Sequence, residues 1–306
     1  MADDDLLLAD YYKMWIETYK KGAVRQVTYD NYELNWRWLK KLAPDLKLKD
    51  LTRLEYQNII NKFAETHEKV TVADFHNRVK PAILDAVDDD LLRKNPTRKT
   101  IIKGIPPIPK KRKYMDSFEL KLFINELDLP KHKLNIDWLL LLISKTGVRL
   151  SEALGVTKED FDFTNQVLII NKTWAYKEGG GFVPTKNKSS VRKIRIDWKL
   201  MNQFMGLIED IPEGVPIFCY KKPMYNSTIN NRIKRLCKKL NIAPISVHGL
   251  RHTHASLLLY NGVSVASVAR RLGHADINTT QSVYIHIIQE MDNYDTDKIM
   301  RQLSQF

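Results

Sequence analysis

Cysteine is scarce in this chain: there are two among 306 residues, Cys219 and Cys237, without C-x-x-C spacing. A disulfide framework or a zinc ribbon needs more thiols set closer together, so neither is indicated, and a reducing cytoplasm suits the composition. Long apolar runs are missing as well. The longest, residues 138–143 (WLLLLI), falls far short of the roughly 20 residues that span a bilayer. The chain opens on Met-Ala-Asp-Asp-Asp, acidic where a secretory signal would be basic. Acidic residues are in deficit overall: 36 Asp and Glu face 49 Lys and Arg, a formal net charge of +13. That surplus points to a polyanionic partner, an anionic membrane surface being the other electrostatic match.

What is present is enough apolar material (43%) for real cores and enough length for two domains. No internal repeat or extended low-complexity segment is found. Helical spacing runs through residues 7–20 (Leu7, Tyr11, Trp15, Tyr19), with Gly22 as a stop, and through residues 28–42. Thr52 and Glu55 form a capping box ahead of Tyr56, Ile59, Ile60 and Phe63. A fourth helix from about Thr71 aligns Phe75, Val79, Ile83 and Val87, and Pro81 is expected to bend or interrupt it. Residues 1–104 therefore read as a compact helical unit with no catalytic constellation.

Residues 105–115 read as a linker. The stretch KGIPPIPKKRKYMD holds three prolines and the basic run Lys110, Lys111, Arg112, Lys113. Such a run can be a plain solvated connector or an import-like tract; beside a DNA-binding domain it would neutralise phosphates along a duplex. Residues 116–306 read as mainly helical with a small antiparallel sheet. The expected helices lie at residues 116–127, 134–145, from about 200, and at 228–240, and the strands at residues 166–171 and 192–196, separated by the Gly179-Gly180-Gly181 turn. In the helix at 228–240, Arg232, Lys234 and Arg235 are expected to form a basic, DNA-facing surface, with Lys238 and Lys239 beyond them.

The stretch HGLRHTHASLLLYNGVSVASVARRLGHADINTTQSVYIH, residues 248–286, concentrates the chemistry. His248 and Arg251 share a helix face, a turn at Asn261-Gly262 follows, and His274 and Tyr284 come next. Histidine, arginine, histidine and tyrosine on a helical hairpin fit phosphate chemistry: groups that grip an anion, a group that moves protons, and a hydroxyl that can attack. A metal site from His248, His252 and His254 is the rival reading, weakened because no carboxylate or cysteine accompanies the trio in its motif.

Together with TGVRLSEALGV upstream, HGLRHTHAS and ARRLGHADINTTQSVYIH make the chain resemble the tyrosine recombinase (phage integrase) family. The family pattern is an arginine in a T-G-x-R-x-x-E box, an H-x-x-R box, an L-G-H and a C-terminal nucleophilic tyrosine; all four occur here in order, from about residue 115 onward. The resemblance implies a mainly α fold, with an N-terminal helical domain on core-type DNA and a C-terminal α+β catalytic domain. It casts Arg149 and Arg251 as the clamp on the scissile phosphate, His248 and His274 as its proton-handling and hydrogen-bonding histidines, and Tyr284 as the nucleophile. It also places a catalytic lysine in the sheet turn, Lys188 being the better match and Lys186 the reserve. Family members often set the tyrosine one residue nearer the box histidine than the ten found here, which reads as an insertion in TTQSVYIH; Tyr260 falls too early to replace it. Glu152, three residues beyond Arg149, has the spacing to orient that arginine. His252, His254 and His286 are taken as structural or DNA-adjacent.

The chemistry has a clear demand. A phenol of pKa about 10 is ionised in about one molecule per thousand at pH 7, a deficit of about 4 kcal/mol that neighbouring cations must help to meet. The expectation is a site-specific recombinase of a phage or mobile element, acting through a 3′-phosphotyrosine without metal or nucleotide cofactor. A homotetramer on paired double-stranded DNA sites is implied, with exchange of an amphipathic C-terminal tail (residues 289–306) and with accessory directionality and DNA-bending proteins. A Xer-like chromosome-resolving recombinase, a type IB topoisomerase and a non-cutting regulator of the same fold are the rivals. No arm-site domain is visible ahead of the helical unit, so a short member or a trimmed chain is expected.

Overall fold

The computed structural model describes residues 5–107, 113–281 and 284. The chain divides into two compact units, Met1–Lys110 and Lys111–Phe306. Residues 110–112 of the basic run, His286 and the tail at 289–306 lie outside the described residues.

The first unit holds α1 (Leu8–Tyr19), α2 (Gln26–Leu42), α3 (Arg53–Ala64) and α4 (Lys69–Asp88). Its helices bury one apolar stripe each, bringing Tyr12, Trp15, Ile16, Leu39, Tyr56, Ile60, Phe63, Phe75, Val79 and Ile83 into a single core. Buried polar tips find partners there: Trp15 Nε1 donates to Asp85 Oδ2 at 2.6 Å, and the Tyr11 hydroxyl to the Ala82 carbonyl at 3.0 Å. Thr52 caps α3 by accepting from the Glu55 N–H. Of the two outcomes expected at Pro81, interruption does not occur: α4 runs across it for 20 residues. Val79, Ala82, Ile83 and Ala86 are all buried around that proline, and their packing offsets the missing N–H.

The second unit opens with α5 (Ser117–Asn125), started by a capping box in which Asp116 accepts from the Glu119 N–H and Glu119 from the Asp116 N–H. Next come α6 (Ile136–Thr146), almost entirely buried, and the short α7 (Leu150–Leu154). Strands β1 (Phe161–Asp162), β2 (Val167–Ile170), β3 (Lys172–Trp174), β4 (Phe182–Pro184) and β5 (Arg192–Arg195) follow, then α8 (Trp198–Ile208), α9 (Asn226–Lys239), α10 (Val247–Tyr260) and α11 (Val265–Leu272). The strands make two antiparallel sheets rather than one. β2 lies between β1 and β5, with Val167 opposite Arg195 and Ile170 opposite Arg192, while β3 and β4 form a separate hairpin closed by the glycine turn. Leu168, Ile170 and Ile194 point inward and join α5, α6, α8 and α9 in the main core.

One basic residue is turned to structural use. Arg232 does not belong to an open cationic face: its Nε donates to Asp137 Oδ1 at 2.8 Å and its Nη2 to Asp137 Oδ2 at 2.5 Å, clasping α9 to α6. Asp137 is buried, so the fork of Arg232 is spent on compensating it. Lys234 and Arg235 are exposed on the same helix. No helix among the described residues is long and apolar enough to cross a membrane.

Candidate active site

Two helices of the second unit end in the same way. α6 stops at Gly147 and α11 at Gly273, each at φ 70°, the left-handed region that glycine enters without a Cβ penalty. Space also demands glycine at both points: a Cβ on Gly147 would stand 2.6 Å from His254 Cδ2, and one on Gly273 2.9 Å from Arg192 Nη1. A helix C-terminus leaves carbonyls without intrahelical donors and carries partial negative charge. In this protein arginines supply the missing donors.

At α11 the arrangement is serial. Arg192 Nε donates to the Arg271 carbonyl at 2.7 Å, Arg251 Nη2 to the Leu272 carbonyl at 2.7 Å, and Arg149 Nη2 to the Gly273 carbonyl at 3.2 Å. Arg251 also reaches the end of α6, giving Nη1 to the Gly147 carbonyl at 2.6 Å. It is 3% exposed. Burial, with Arg149 nearby, lowers its pKa to about 9, which leaves the guanidinium charged at neutral pH. The short L-G-H segment thus brings together arginines that stand far apart in the chain.

Glu152 is the buried carboxylate of the cluster. It takes the Arg149 N–H at 2.9 Å and Nη1 at 2.7 Å, and the Arg192 Nη2 at 2.9 Å. Burial would raise its pKa, but the Arg192 and Arg149 guanidiniums hold it below the usual carboxylate range. Arg192 has further contact with the Ser190 carbonyl at 2.8 Å, and Ser190 Oγ lies 3.4 Å from Arg149 Nη1. The 3₁₀ turn Lys188–Ser190 is thereby pinned beside the arginines, with Lys188 exposed on it and Lys186 exposed just before it.

The histidines crowd the same cations. His274 Nδ1 is 2.7 Å from Thr280 Oγ1, and burial together with Arg251 and Arg149 lowers its pKa to about 4. His248 is exposed at the first turn of α10; partial desolvation and the charges of Arg251 and Arg149 lower its pKa. His254 is saturated: its Nδ1 faces the Ser144 carbonyl at 3.0 Å and its Nε2 accepts from Arg271 Nε at 2.9 Å. Burial, then Arg271, drops its pKa to about 3, a neutral imidazole that works as a structural link. Neither nitrogen is left for a metal, and among the described residues no group of three or more His, Cys, Asp or Glu could hold one.

Tyr284 is 2% exposed, packed with Ala255, Leu259, Val268 and Leu272, and its hydroxyl lies 2.8 Å from His252 Nδ1. Burial raises the phenol's pKa, and Arg251 is close enough to oppose that shift. Tyr260 is 71% exposed at the far end of α10, away from this packing. Lys113 joins from the linker: its carbonyl lies over Gly249, and it lines a hollow of about 290 Å³ with His248 and His252.

Arg149, Glu152, His248, Arg251, His274 and Tyr284 therefore come together, with Lys188 on the adjoining turn; Arg232 is held apart by Asp137. Arg192 and Arg271 belong to the cluster although no sequence motif singled them out for chemistry, and so does His252, which the sequence offered only as a metal ligand or a structural residue. Their neighbours in it are mostly main-chain carbonyls and a phenol, which leave no trace in spacing.

The model of the phage integrase family matches residues 113–291, and that of the phage integrase N-terminal SAM-like domain matches residues 7–64. The ICEBs1 integrase of Bacillus subtilis (strain 168) is 29% identical over 227 residues, which is 70% of this chain and 61% of that protein. The integrase of Staphylococcus phage L54a is 27% identical over 311 residues, 91% of this chain and 88% of its own length. In fold, the Tn1549 transposon integrase, solved in complex with transposon right end DNA, is similar at a TM-score of 0.77 and 20% identity, covering 96% of this chain and 100% of that one. A family model spanning more than half of the sequence assigns the molecule: the chain belongs to the phage integrase family, the tyrosine site-specific recombinases.

Proposed function

We propose that this protein cuts and rejoins DNA at specific sites, serving the integration and excision of a phage or other mobile element. The observation that carries the reading is the anchoring of Arg149 and Arg251 on adjacent carbonyls of one helix end, with the Tyr284 phenol within the field of Arg251. A phosphodiester resists attack because its own charge repels nucleophiles; two fixed guanidiniums neutralise it without reorganising. Tyr284 Oη attacks the phosphorus, its bond to the 5′-oxygen breaks, and a 3′-phosphotyrosine remains. His248 and His274 hydrogen-bond the phosphate and carry protons, and Lys188 (with Lys186 in reserve) protonates the departing 5′-oxygen. Attack by the 5′-hydroxyl of another strand reverses these steps and releases Tyr284.

Exchange between two duplexes involves four strands, and each chain brings one such tyrosine, so the working assembly is a homotetramer on paired sites. The helical first unit and the linker residues Lys110, Lys111, Arg112 and Lys113 bind the duplex, with Lys234 and Arg235 adding phosphate contacts. The net charge of +13 supports this, as do DNA-bound relatives of the same fold. Directionality and DNA-bending proteins set the sense of the reaction, and the bacterial cytoplasm is its site.

The test uses a nicked duplex carrying a sequence that the protein itself selects from a random pool. Wild-type protein is expected to form a covalent adduct on that substrate. Tyr284→Phe is expected to bind it equally well and form none. Equal adduct yield from the Phe variant overturns the reading.

A further inference from the structure

Among the described residues neither arginine is hydrogen-bonded to the phenol of Tyr284; its neighbour is His252, a histidine outside the four motif boxes. We propose that His252 is the positioning residue of the nucleophile, seating the Tyr284 hydroxyl by accepting its proton in a hydrogen bond. The inference rests on the reading of Tyr284 as nucleophile given above.

The geometry is specific. Oη of Tyr284 and Nδ1 of His252 are 2.8 Å apart, a full-strength hydrogen bond, and the two rings cross at 62° with centroids 5.8 Å apart. His252 lies one residue beyond Arg251 on α10, so whatever fixes that helix fixes the acceptor relative to the clamp. The helix is fixed well: Arg251 is tied to two helix ends, and Thr253 Oγ1 receives the Met115 N–H at 2.9 Å and donates to the Gly249 carbonyl at 2.9 Å. His252 is itself braced by the His248 ring, edge-on at 4.8 Å.

Which partner donates follows from acidity. Burial, His248, Arg251 and Lys113 all disfavour a proton on His252, bringing its pKa to about 4, so the imidazole is neutral and keeps a free lone pair. The phenol is the stronger acid of the two and donates. With the phenol raised and the imidazole lowered, complete proton transfer between them is strongly uphill. His252 therefore does not activate Tyr284 as a base; it holds the neutral phenol at a defined place until bound phosphate and the arginines draw the proton off. The Tyr284 side of this contact is buried, while His252 also lines the hollow shared by Lys113 and His248.

Three substitutions separate acceptor from ring. Asparagine places its carbonyl oxygen near the position of Nδ1, glutamine places its own near Nε2, and phenylalanine keeps the ring without any acceptor. With single-turnover adduct formation on the nicked duplex as the readout, His252→Phe is expected to lose about tenfold to a hundredfold in rate, as misplacement of a reacting group does, with DNA affinity unchanged. His252→Asn is expected to recover most of that loss and His252→Gln little of it. 3-Fluorotyrosine installed at position 284 gives a second signature: its ¹⁹F resonance should shift in His252→Phe and stay near wild type in His252→Asn, in protein without DNA. A His252→Phe variant that forms adduct at the wild-type rate overturns the proposal. So does an equal loss in all three variants together with an unmoved resonance, which would assign the ring to packing alone. Adduct formation by Tyr284→Phe would instead sink the nucleophile reading, a result distinguishable from both.

Discussion

The carboxylate of Glu152 and the guanidinium of Arg192, both buried, meet at 2.9 Å, and the other oxygen of that carboxylate holds Arg149 at 2.7 Å. A single buried anion thus binds one arginine that faces the site to another that only supports it. Removing the charge would leave the Arg192 guanidinium uncompensated in a dry region and take the anion from the half-buried Arg149. Glu152→Gln is expected to cost about 3–5 kcal/mol in urea unfolding, the range for breaking a buried ion pair, and to slow adduct formation. Its pH signature has a definite sign. The folded pKa of Glu152 is depressed, so its stabilisation is present above the unfolded value of about 4.3 and is lost as pH falls through the folded value. Below about pH 4.3 the difference between wild type and Glu152→Gln should therefore narrow.

A second pH effect begins higher. His252, His254 and His274 have pKa values lowered to about 4, 3 and 4. Each is neutral in both states above about pH 6.5; below that the unfolded chain takes up protons that the folded chain refuses. Stability should fall as pH drops from about 6.5 toward 4. Urea midpoints at about pH 7 and about pH 5 measure this, and His254→Asn should start lower but show a shallower slope.

Gly273 carries three functions at once: it ends α11, offers its carbonyl to Arg149, and leaves room for Arg192. Gly273→Ala forces a Cβ into a left-handed residue against the Arg192 guanidinium. The expected loss is about 1–3 kcal/mol in thermal unfolding, with adduct formation reduced more than DNA affinity.

Arg251→Lys keeps the charge and loses the fork that spans Gly147 and Leu272. One buried carbonyl is left without its donor, and the phosphate loses a planar clamp. Adduct formation should fall about a hundredfold or more, comparable to deleting one donor aimed at a developing charge. An equilibrium binding assay should show DNA affinity within a few-fold of wild type.

On α9, exposure divides the basic residues. Arg232→Ala should lower stability through Asp137 and leave the salt dependence of DNA binding unchanged. Lys234→Ala with Arg235→Ala should leave stability intact and reduce the slope of log K against log salt by about 2, one phosphate each. The same slope for both proteins would remove α9 from the interface.

Much of this molecule can be read along the chain. Helical spacing at Tyr56, Ile59, Ile60 and Phe63, caps at Thr52 and Asp116, and alternation in Arg192–Arg195 are local signals, because propensity, capping and pleat act between near neighbours. So are the boxes around Arg149, His248, Arg251 and His274, whose spacing is itself the motif. Pro81 is the counterexample: a local rule against helix continuation yielded to the packing of Val79, Ala82, Ile83 and Ala86. Arg232 is another, since nothing near it in sequence points to Asp137, 95 residues away.

From sequence alone came the family, the helical character, the basic balance and the side chains suited to gripping a phosphate. Tertiary structure alone decided how those side chains are held: Arg192, Arg251 and Arg149 on successive carbonyls of one helix end, and the Tyr284 phenol on His252. The reason is physical. A carbonyl is the same at every residue and a hydrogen bond across a fold leaves no spacing, so only the placement of α6, α10 and α11 together determines which donor meets which acceptor.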